Sequence, residues 1–502
     1  MARVGISVRE RRQRTAMLVR IASRAYWHYR RQQFPEMGQI ICDGFVEMGG
    51  VYVKFLQGVL VRSALIKNWQ SPERLRVFED LGAEPIDVIE VLKKELTPQA
   101  LAQIAEINPI SFAAGSFGQV YMARLKNDKK VIVKILRPKI RESLIFDLKL
   151  LSRWVRLTSG WLTANIDIDF VSAFADFKRQ TIGETNYREE VRFAREMFEH
   201  YKGHPFMVIP ETYEHLCSDT VIVQEYIEGI SLAKLIMIKE SGGNVHTYVE
   251  QTIGSDLNKQ LYTLGYESLY GVFAMPRIQG DPHPGNVRLL SGNRVGLIDF
   301  GISARSPKHK GAFLGVLREY EKAISGDPDI VAFFGQFLRF FVGDLYVALK
   351  TISKHVGKDG VDTSDLTEHV GNIAKYAFDE NSTDMDMREL FSTGNLLSTI
   401  NATINSKNRF GIIMQLEASD VMRAAQTYAG MVFTLGAQEI MPSVFHDVVM
   451  DVTKHQHKLG LHLEQDNELS IQDALDIISR WLERVAEKDP QLFQMITKRV
   501  RV

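Results

Sequence analysis

Two short segments in the second half of the chain carry side chains that could hold a metal ion beside a phosphate. Residues 281–286 read D-P-H-P-G-N, and residues 298–301 read I-D-F-G. Asn286 and Asp299 offer only oxygen ligands, which suit Mg²⁺ because this ion keeps several waters and takes other ligands from substrate phosphates. Asp281 could orient the acceptor group. The two segments therefore indicate phosphoryl-transfer chemistry.

Phosphoryl transfer also needs a backbone cradle for the phosphates, and residues 113–120, A-A-G-S-F-G-Q-V, could form one. Small residues let backbone N–H groups approach anionic oxygens closely, and glycine tolerates positive φ. Taken alone, this segment is equally compatible with an ordinary hairpin turn. It is not a Walker A loop, because G-x-x-x-x-G-K-[ST] does not occur.

A lysine follows the cradle within a run of β-branched residues, V-I-V-K-I-L at 131–136. Such a strand would point Lys134 inward, where an unpaired ammonium is costly and needs an anionic partner; an exposed edge lysine is the alternative. Together with the two later segments, these parts stand in the order found in protein kinases. His283, between two prolines, is predicted to fix the loop by a hydrogen bond rather than to act as a base or zinc ligand.

These segments resemble the UbiB-like (aarF-domain) atypical kinase family over roughly residues 45–305. The resemblance rests on A-A-G-S-F-G-Q-V, on V-I-V-K-I-L-R-P at 131–138, and on D-P-H-P-G-N with I-D-F-G. It also rests on K-F-L-Q at 54–57, where the family has K-x-G-Q, and on E-T-N-Y-R-E-E at 184–190, where it has E-x-D-Y-x-x-E.

The resemblance implies a role for each matched residue. Lys134 would contact the nucleotide phosphates and pair with Glu190, and Asp281 would be the catalytic aspartate. Asn286 and Asp299 would hold Mg²⁺. The remaining contacts to ATP would come from a set made up of the cradle and a hinge segment: Ala114, Gly115, Ser116, Phe117, Gly118, Val120, Glu225 and Tyr226.

A regulatory group is also implied by the resemblance. In the family, the helix with K-x-G-Q folds over the active site and blocks the place of a protein substrate. Here Lys54 and Gln57 would lie on one helix face, and Glu184 would be the partner of Lys54.

Three departures from the family pattern bear on that inhibited state. Leu56 replaces a glycine, so the helix is expected to approach less closely. Asn186 replaces an aspartate and removes one negative charge near Lys54. Gly115 stands where alanine is frequent, which predicts a looser cradle.

The elements that must position these residues predict an α+β, two-lobed, atypical protein-kinase-like fold. We expect an N-terminal helical extension over 1–105, a kinase N-lobe over 106–229, a C-lobe over 230–345 and a C-terminal helical region over 346–502. Strands are predicted at 118–125, 131–136 and 220–226, with a hairpin at 287–290 and 295–300 joined by the turn 291–293. An acidic loop is expected near 379–386. Residues from about 350 onward match no pattern of known function.

Composition excludes several classes of protein. The chain has 61 Lys plus Arg and 61 Asp plus Glu, so it carries no charge excess of the kind that nucleic-acid binding needs. Its two cysteines, Cys42 and Cys217, exclude a disulfide scaffold and fit a reducing compartment. The most apolar stretch, 330–349, is interrupted by polar residues and reads as a core helix rather than a membrane span.

The first 35 residues are rich in arginine and contain one acidic residue, Glu10. With its interleaved aromatics, this segment could lie on an anionic membrane surface, act as an organelle transit peptide, or form a charged helix packed on its own domain. A cytoplasmic location, with or without peripheral membrane contact and without a transmembrane segment, is expected; the arginine-rich segment leaves organelle targeting open.

The function predicted from this reading is that of an ATP- and Mg²⁺-dependent phosphotransferase or ATPase. The resemblance implies action on isoprenoid lipids or in ubiquinone biosynthesis rather than on protein substrates. Two alternatives remain, a small-molecule kinase of the same fold and a nucleotide-binding pseudokinase scaffold. Gln279-Gly280 before Asp281, in place of H-G, counts against the first, and the intact Lys134 and Asp299 count against the second.

Overall fold

The computed structural model describes residues 7–56, 85–115, 117–163, 170–324, 330–356, 415–461 and 469–488, together with 490, 493 and 494. The described helices, numbered along the chain, are α1 (Val8–Arg30), α2 (Phe34–Met48), α3 (Val51–Phe55), α4 (Val88–Glu95), α5 (Pro98–Leu101), α6 (Ile140–Thr163), α7 (Phe170–Gly183), α8 (Tyr187–Tyr201), α9 (Leu232–Glu240), α10 (Val245–Ile253), α11 (Leu257–Ala274), α12 (Lys310–Ile324), α13 (Ile330–Val342), α14 (Asp344–Val356), α15 (Leu416–Leu435), α16 (Met441–His455) and α17 (Ile471–Lys488). The strands are β1 (Ile104–Ala114), β2 (Gly118–Leu125), β3 (Lys130–Leu136), β4 (Met207–Val208), β5 (Val221–Glu225), β6 (Ile230–Ser231), β7 (Arg277–Gln279), β8 (Val287–Leu290), β9 (Arg294–Leu297) and β10 (Ser303–Arg305). The predicted loop near 379–386 lies outside the described residues.

An antiparallel sheet in the order β1-β2-β3-β5 forms the first lobe. The side chains of β3 alternate between the two faces of the sheet. Val131, Val133 and Ile135 are fully buried on the face under α4 and α5, and Lys134 points to the opposite face. The register pairs Val120 with Lys134, so the end of the cradle lies beside the lysine. β1 begins at Ile104, slightly before the expected start of the N-lobe at 106.

α8 crosses between the lobes and carries Glu190 in its first turn. Asn186 caps this helix, because its side chain accepts a hydrogen bond from the Glu189 backbone N–H at 3.3 Å. Val191, Ala194 and Met197 are buried at helical spacing along the helix. The helix is thus held by its apolar stripe, with the glutamate facing the first sheet.

The second lobe contains a four-stranded sheet, β4-β9-β8-β6, and a separate pair, β7 with β10. The β8–β9 hairpin turns through 291–293, where Gly292 and Asn293 adopt left-handed φ values of 73° and 58°. Such a turn requires residues that tolerate positive φ. The predicted hairpin therefore separates the two phosphoryl-transfer segments of the sequence.

The C-terminal helices α15 and α16 pack into the second lobe and complete its hydrophobic core. Val432 and Val448 are fully buried in one cluster with Leu261 and Phe313. The hydroxyl of Tyr428 donates to the carbonyl of Leu261 at 3.0 Å. This core thus joins residues from both sides of the expected limit at 345; the four domain limits stay a prediction.

α1 and α2 form an antiparallel pair on the first lobe, and the buried edge of α1 consists of Leu18, Ile21 and Ala25. Arg14 pairs with the buried carboxylate of Asp147 on α6 at 2.6 Å. One face of α1 is thus packed on its own domain, while the basic and aromatic side chains of its other face are exposed. In the described part of the chain, no helix is both long and apolar enough to cross a membrane.

The expected α+β class with N-terminal helices is confirmed. The most apolar stretch of the sequence forms α13 and the start of α14, with Phe337 and Phe340 in the core, as a core helix should.

Candidate nucleotide site

Lys134 lies between two carboxylates at the junction of the lobes. Its Nζ is 2.7 Å from Oε1 of Glu190 and 3.3 Å from Oδ2 of Asp299. The three residues come from β3, from the first turn of α8 and from the segment after β9. The Glu190 side chain is 2% exposed, whereas that of Asp299 is 37% exposed. Glu190 thus serves as an internal partner, and Asp299 can still reach a ligand.

The charged groups at this junction shift one another's pKa values. Burial acts to lower the pKa of Lys134, but Asp299 and Glu190 outweigh it and hold the pKa well above the ordinary value. Burial raises the pKa of Glu190 to about 7, against the lowering effect of Lys134. Burial would also raise the pKa of Asp299, but Lys134 and the Gly301 N–H lower it below its ordinary value. The junction therefore keeps a charged lysine and an ionised Asp299.

The cradle is shaped by backbone and by one arginine. The Gly115 N–H donates to the Gly118 carbonyl at 2.9 Å, and Arg137 donates to the Gly115 carbonyl at 3.0 Å. The Arg137 backbone N–H also donates to the Phe117 carbonyl at 2.8 Å. Ser116 lies outside the described residues. Sequence reasoning did not assign a role to Arg137, which stands in the matched I-L-R-P stretch.

Tyr187 forms the floor beneath the cradle and was also missed as a site residue, although it stands in the matched glutamate motif. Its ring centroid is 5.3 Å from Nζ of Lys134, and its side chain is fully buried. A Cβ on Gly118 would lie 2.6 Å from the Tyr187 hydroxyl and 2.9 Å from the Ile135 carbonyl. A Cβ on Gly115 would make only an ordinary van der Waals contact, with the Gly118 carbonyl at 3.8 Å. The packing of the cradle against Tyr187 and Ile135 therefore requires glycine at position 118, whereas position 115 has space for a Cβ.

The catalytic-loop segment is tied to the segment around Asp299. The side chain of Gln279 donates to the Asp299 carbonyl, and its oxygen accepts from the Asp281 N–H at 3.5 Å. Asn286 Nδ2 donates to the Asp281 carbonyl at 3.4 Å, and the Asn286 carbonyl accepts from the Ile298 N–H at 3.0 Å. These bonds bring the two predicted segments together.

His283 fixes this loop through Nδ1, which accepts from the Gly285 N–H at 3.2 Å. This is the loop-fixing hydrogen bond expected from its place between two prolines. In the part of the chain that the structure describes, no group of three or more His, Cys, Asp or Glu gathers as a metal cluster.

Lys54 forms an ion pair with Glu184, and its Nζ lies 4.8 Å from the Phe117 ring centroid. Leu56, at the end of α3, is fully buried in the core formed by α1, α2, α3 and α6. The core thus accommodates the larger side chain at position 56. The Lys54–Glu184 contact forms although Leu56 and Asn186 depart from the family pattern. Gln57 lies outside the described residues.

The expected hinge follows β5. The Glu225 N–H donates to the Glu211 carbonyl at 2.9 Å, and the Tyr226 N–H donates to the Lys130 carbonyl at 3.1 Å. The Tyr226 ring meets Phe112 of β1 edge to face, with centroids 6.1 Å apart. These two N–H groups are therefore already used, and other backbone groups of the segment would have to meet an adenine.

The residues present fit a hard divalent cation that also binds phosphate. Asp299 keeps an exposed carboxylate, although Oδ1 accepts from the Gly301 N–H at 2.9 Å. Asn286 uses its amide nitrogen within the loop, so its oxygen Oδ1 is the atom that it can offer. Two oxygen ligands, with phosphate and water completing the shell, are the usual protein contribution to Mg²⁺ binding.

A strand lysine, a helix glutamate and an aspartate before Phe-Gly, arranged between two lobes, define a kinase-like domain. Residues 83–322 match the ABC1 atypical kinase-like domain, which confirms the resemblance to the UbiB-like (aarF-domain) family over this part of the chain.

Curated relatives share this domain at low identity. The Arabidopsis thaliana protein named ACTIVITY OF BC1 COMPLEX KINASE 1, chloroplastic, is 26% identical over 278 residues, covering 55% of this chain and 38% of the relative. An uncharacterized Synechocystis protein is 27% identical over 259 residues, covering 51% and 36%. The chain thus spans less than half the length of the curated relatives it matches.

Among solved structures, the Mycobacterium tuberculosis protein Rv3197, described as a complex with erythromycin, is similar with a TM-score of 0.46 and 21% identity. The alignment covers 71% of this chain and 80% of that one. A likeness at this level supports no conclusion about ligands or activity.

Proposed function

We propose that this protein binds Mg-ATP and uses it as a phosphotransferase or ATPase. The observation that carries the proposal is the position of Lys134 between Glu190 and Asp299. The cradle lies beside it, and its Gly118 packs directly against Tyr187 and Ile135. Mg²⁺ bound by Asn286 and Asp299 would neutralise charge that develops on the transferred phosphoryl group. Lys134 would hold the phosphates, Glu190 would orient Lys134, and Asp281 would orient the acceptor.

The acceptor is proposed from the family alone. Because members of the UbiB-like family are associated with isoprenoid and quinone lipids, we propose a lipid or quinone-pathway substrate rather than a protein. The Lys54–Glu184 ion pair and the contact of Lys54 with Phe117 support this choice, because the resemblance implies that the helix carrying Lys54 occupies the place of a protein substrate. The division into an N-terminal extension, two lobes and a C-terminal region belongs to the same proposal.

An anionic membrane surface is the proposed partner. The outer face of α1 carries exposed basic and aromatic side chains: Arg9, Arg12, Arg20, Arg24, Arg30, Tyr26 and Trp27. Such a face can attract anionic headgroups while the aromatic rings enter the interface. Two relatives are named as chloroplastic, and an organelle location for this chain would rest on those names alone.

The test is Mg-ATP turnover by the purified chain, with and without vesicles of anionic phospholipid and a soluble quinone-precursor mimic. We expect turnover that Asp299→Asn lowers about a hundredfold, since one metal ligand is worth several kcal/mol in the transition state. Asp128→Asn is the matched control. Asp128 is 82% exposed in the β2–β3 turn at φ 67°, where asparagine is well tolerated.

Equal turnover by the parent and Asp299→Asn would overturn the proposal of an enzyme at this site. Nucleotide binding without turnover under every condition would favour a scaffold. A loss in Asp128→Asn equal to that in Asp299→Asn would mean that the assay reports folding rather than chemistry.

A further inference from the structure

A buried carboxylate on the C-terminal helix α15 contacts two arginines. Asp420, 7% exposed, is bound by Arg179 through both guanidinium nitrogens, at 3.1 and 3.3 Å. It also forms an ion pair with Arg423, one helical turn along α15, with Nη2 and Oδ1 3.3 Å apart. The two-nitrogen contact of Arg179 is directional, because its planar fork must match both carboxylate oxygens, and Arg423 adds a second positive charge through one nitrogen.

The two arginines lead to different parts of the nucleotide site. Arg423 also donates to the carbonyl of Gly280 at 3.4 Å, directly before Asp281. Arg179 lies on α7, and α7 leads straight into Glu184, the partner of Lys54. The cluster therefore joins the catalytic-loop segment to the helix that anchors the Lys54 contact.

Gly280 leaves the loop little freedom at this point. Its N–H donates to the Ile302 carbonyl at 3.0 Å, and a Cβ here would lie 3.0 Å from the backbone of β10. Arg423 fixes the opposite side of the same peptide segment. The segment before Asp281 is thus held between β10 and α15.

We propose that Asp420, Arg423 and Arg179 form a latch through which the C-terminal helix positions Asp281 for reaction. Asp420 and Arg423 act through the Gly280 backbone and are positioning residues. The inference rests on the proposed function, since it assumes that Asp281 orients an acceptor. It assigns a role in the site to a region whose sequence matches no pattern of known function.

The latch predicts a particular pattern of defects. Arg423→Ala removes the bond to Gly280 but leaves the two-nitrogen contact between Arg179 and Asp420, so the protein should fold. We expect kcat for Mg-ATP turnover to fall about tenfold, because small misplacements of a reacting group cost this much or more. The dissociation constant for ATP should stay within about twofold, since the ATP contacts lie elsewhere.

Three further variants separate positioning from plain stability. Arg423→Lys keeps a donor and should recover part of kcat. Arg179→Ala leaves the Gly280 bond in place and should lower kcat less than Arg423→Ala. Glu439→Gln is the matched control, because Glu439 is exposed after α15 and accepts only a surface hydrogen bond from Asn258 at 2.9 Å.

Amide hydrogen exchange over residues 279–286 gives a readout that does not need turnover. Exchange there should quicken in Arg423→Ala and stay unchanged in Glu439→Gln. A parent that binds ATP without turnover would refute the proposed activity, and the exchange result would still decide the latch. Unchanged exchange at 279–286, or a fall in stability with normal kcat, would overturn it.

Discussion

The ammonium of Lys134 faces two carboxylates, so the junction between the lobes has an excess of negative charge before any nucleotide binds. Glu190 is the more deeply buried acid, and burial raises its pKa to about 7. In the unfolded chain this group titrates near its ordinary value of 4.5. Between these two pH values the folded state binds more protons than the unfolded state.

This difference fixes the sign of a pH effect on stability. The stabilising contribution of Glu190 protonation is fully present below about pH 4.5 and is lost as pH rises through about 7, by roughly 3 kcal/mol. Glu190→Gln cannot titrate, so the difference in unfolding free energy between parent and variant should change by about 2 kcal/mol of this total between pH 5 and pH 7. Urea unfolding at several pH values measures it.

Glu199→Gln is the control for that series, because Glu199 lies on the same helix with a 62% exposed side chain. Its pH profile should run parallel to that of the parent. A Glu190→Gln profile that also runs parallel to the parent would contradict the pKa assignment.

The two cradle glycines should respond differently to an added methyl group. Gly118→Ala would force Cβ against the Ile135 carbonyl and the Tyr187 hydroxyl, and overpacking of this kind costs about 1–3 kcal/mol. Gly115→Ala meets one ordinary contact and should change stability by less than about 0.5 kcal/mol. Thermal or urea unfolding of both variants checks this. Equal effects would mean that the cradle is not packed on Tyr187 as described.

Residue types and order indicated that Lys134 and Asp299 belong to one phosphoryl-transfer site, and the resemblance to the UbiB-like family added Glu190 as the partner of Lys134. Arg137, Tyr187 and Arg423 could not be predicted in the same way. Their roles come from contacts with Gly115, Gly118 and Gly280, and no local spacing encodes such contacts.

At the scale of elements, α8 is held against the second lobe by a polar clamp as well as by its apolar stripe. Arg277, at the start of β7 and 18% exposed, binds Glu196 at 3.0 Å and also pairs with Glu189. Its guanidinium carbon lies 5.0 Å from the Phe193 ring centroid. The contacts of Arg277 thus lie on both sides of Glu190 along the helix, so this clamp holds the part of α8 that carries the partner of Lys134.

Arg277→Met should loosen α8 while keeping most of the side-chain volume. We expect a loss of about 1.5–3 kcal/mol in unfolding free energy, as for charged hydrogen bonds removed from a mostly buried site, and faster amide exchange along 187–201. Arg192→Ala breaks only an exposed pair with Glu189 and should cost less than about 0.5 kcal/mol. Equal losses in the two variants would show that the clamp adds nothing to helix position.

The strands of the first lobe were predictable because β-branched alternation and turn residues are local signals. The predicted 118–125 coincides with β2, and 131–136 and 220–226 differ from β3 and β5 by a residue at one or both ends. β1 was not among the predicted strands, since its residues alternate weakly and most of them are exposed.

At the scale of the whole molecule, the C-terminal helices are part of the second lobe. Gly265 on α11 lies directly against the hydroxyl end of Tyr428 on α15, and there is no space for a methyl group between them. Tyr428 is buried and donates to Leu261, so it cannot move aside cheaply. No sequence motif marks this contact, which is why the C-terminal region could be predicted only as helical.

Gly265→Ala tests this contact with its own control. Alanine favours a helix over glycine by about 1 kcal/mol, but the collision with Tyr428 should outweigh this and leave a net loss of about 1–3 kcal/mol. Gly271→Ala, on the same helix, meets the Ile278 methyl at 3.4 Å and the Met275 sulfur at 3.8 Å, both ordinary contacts, and should be neutral or stabilising. Urea unfolding compares the two. A stabilising Gly265→Ala would contradict the packing of α15 on α11.

The most direct test of the central claim is a calorimetric titration of the purified chain with ATP, in Mg²⁺ and again in excess chelator. If Lys134, Asn286 and Asp299 surround one metal–nucleotide complex, Mg²⁺ should tighten ATP binding by about tenfold or more in the parent. Asp299→Asn should abolish this dependence on Mg²⁺, and Lys134→Met should weaken binding in both buffers. Binding that is equal with and without Mg²⁺, and unchanged in Asp299→Asn, would contradict the account.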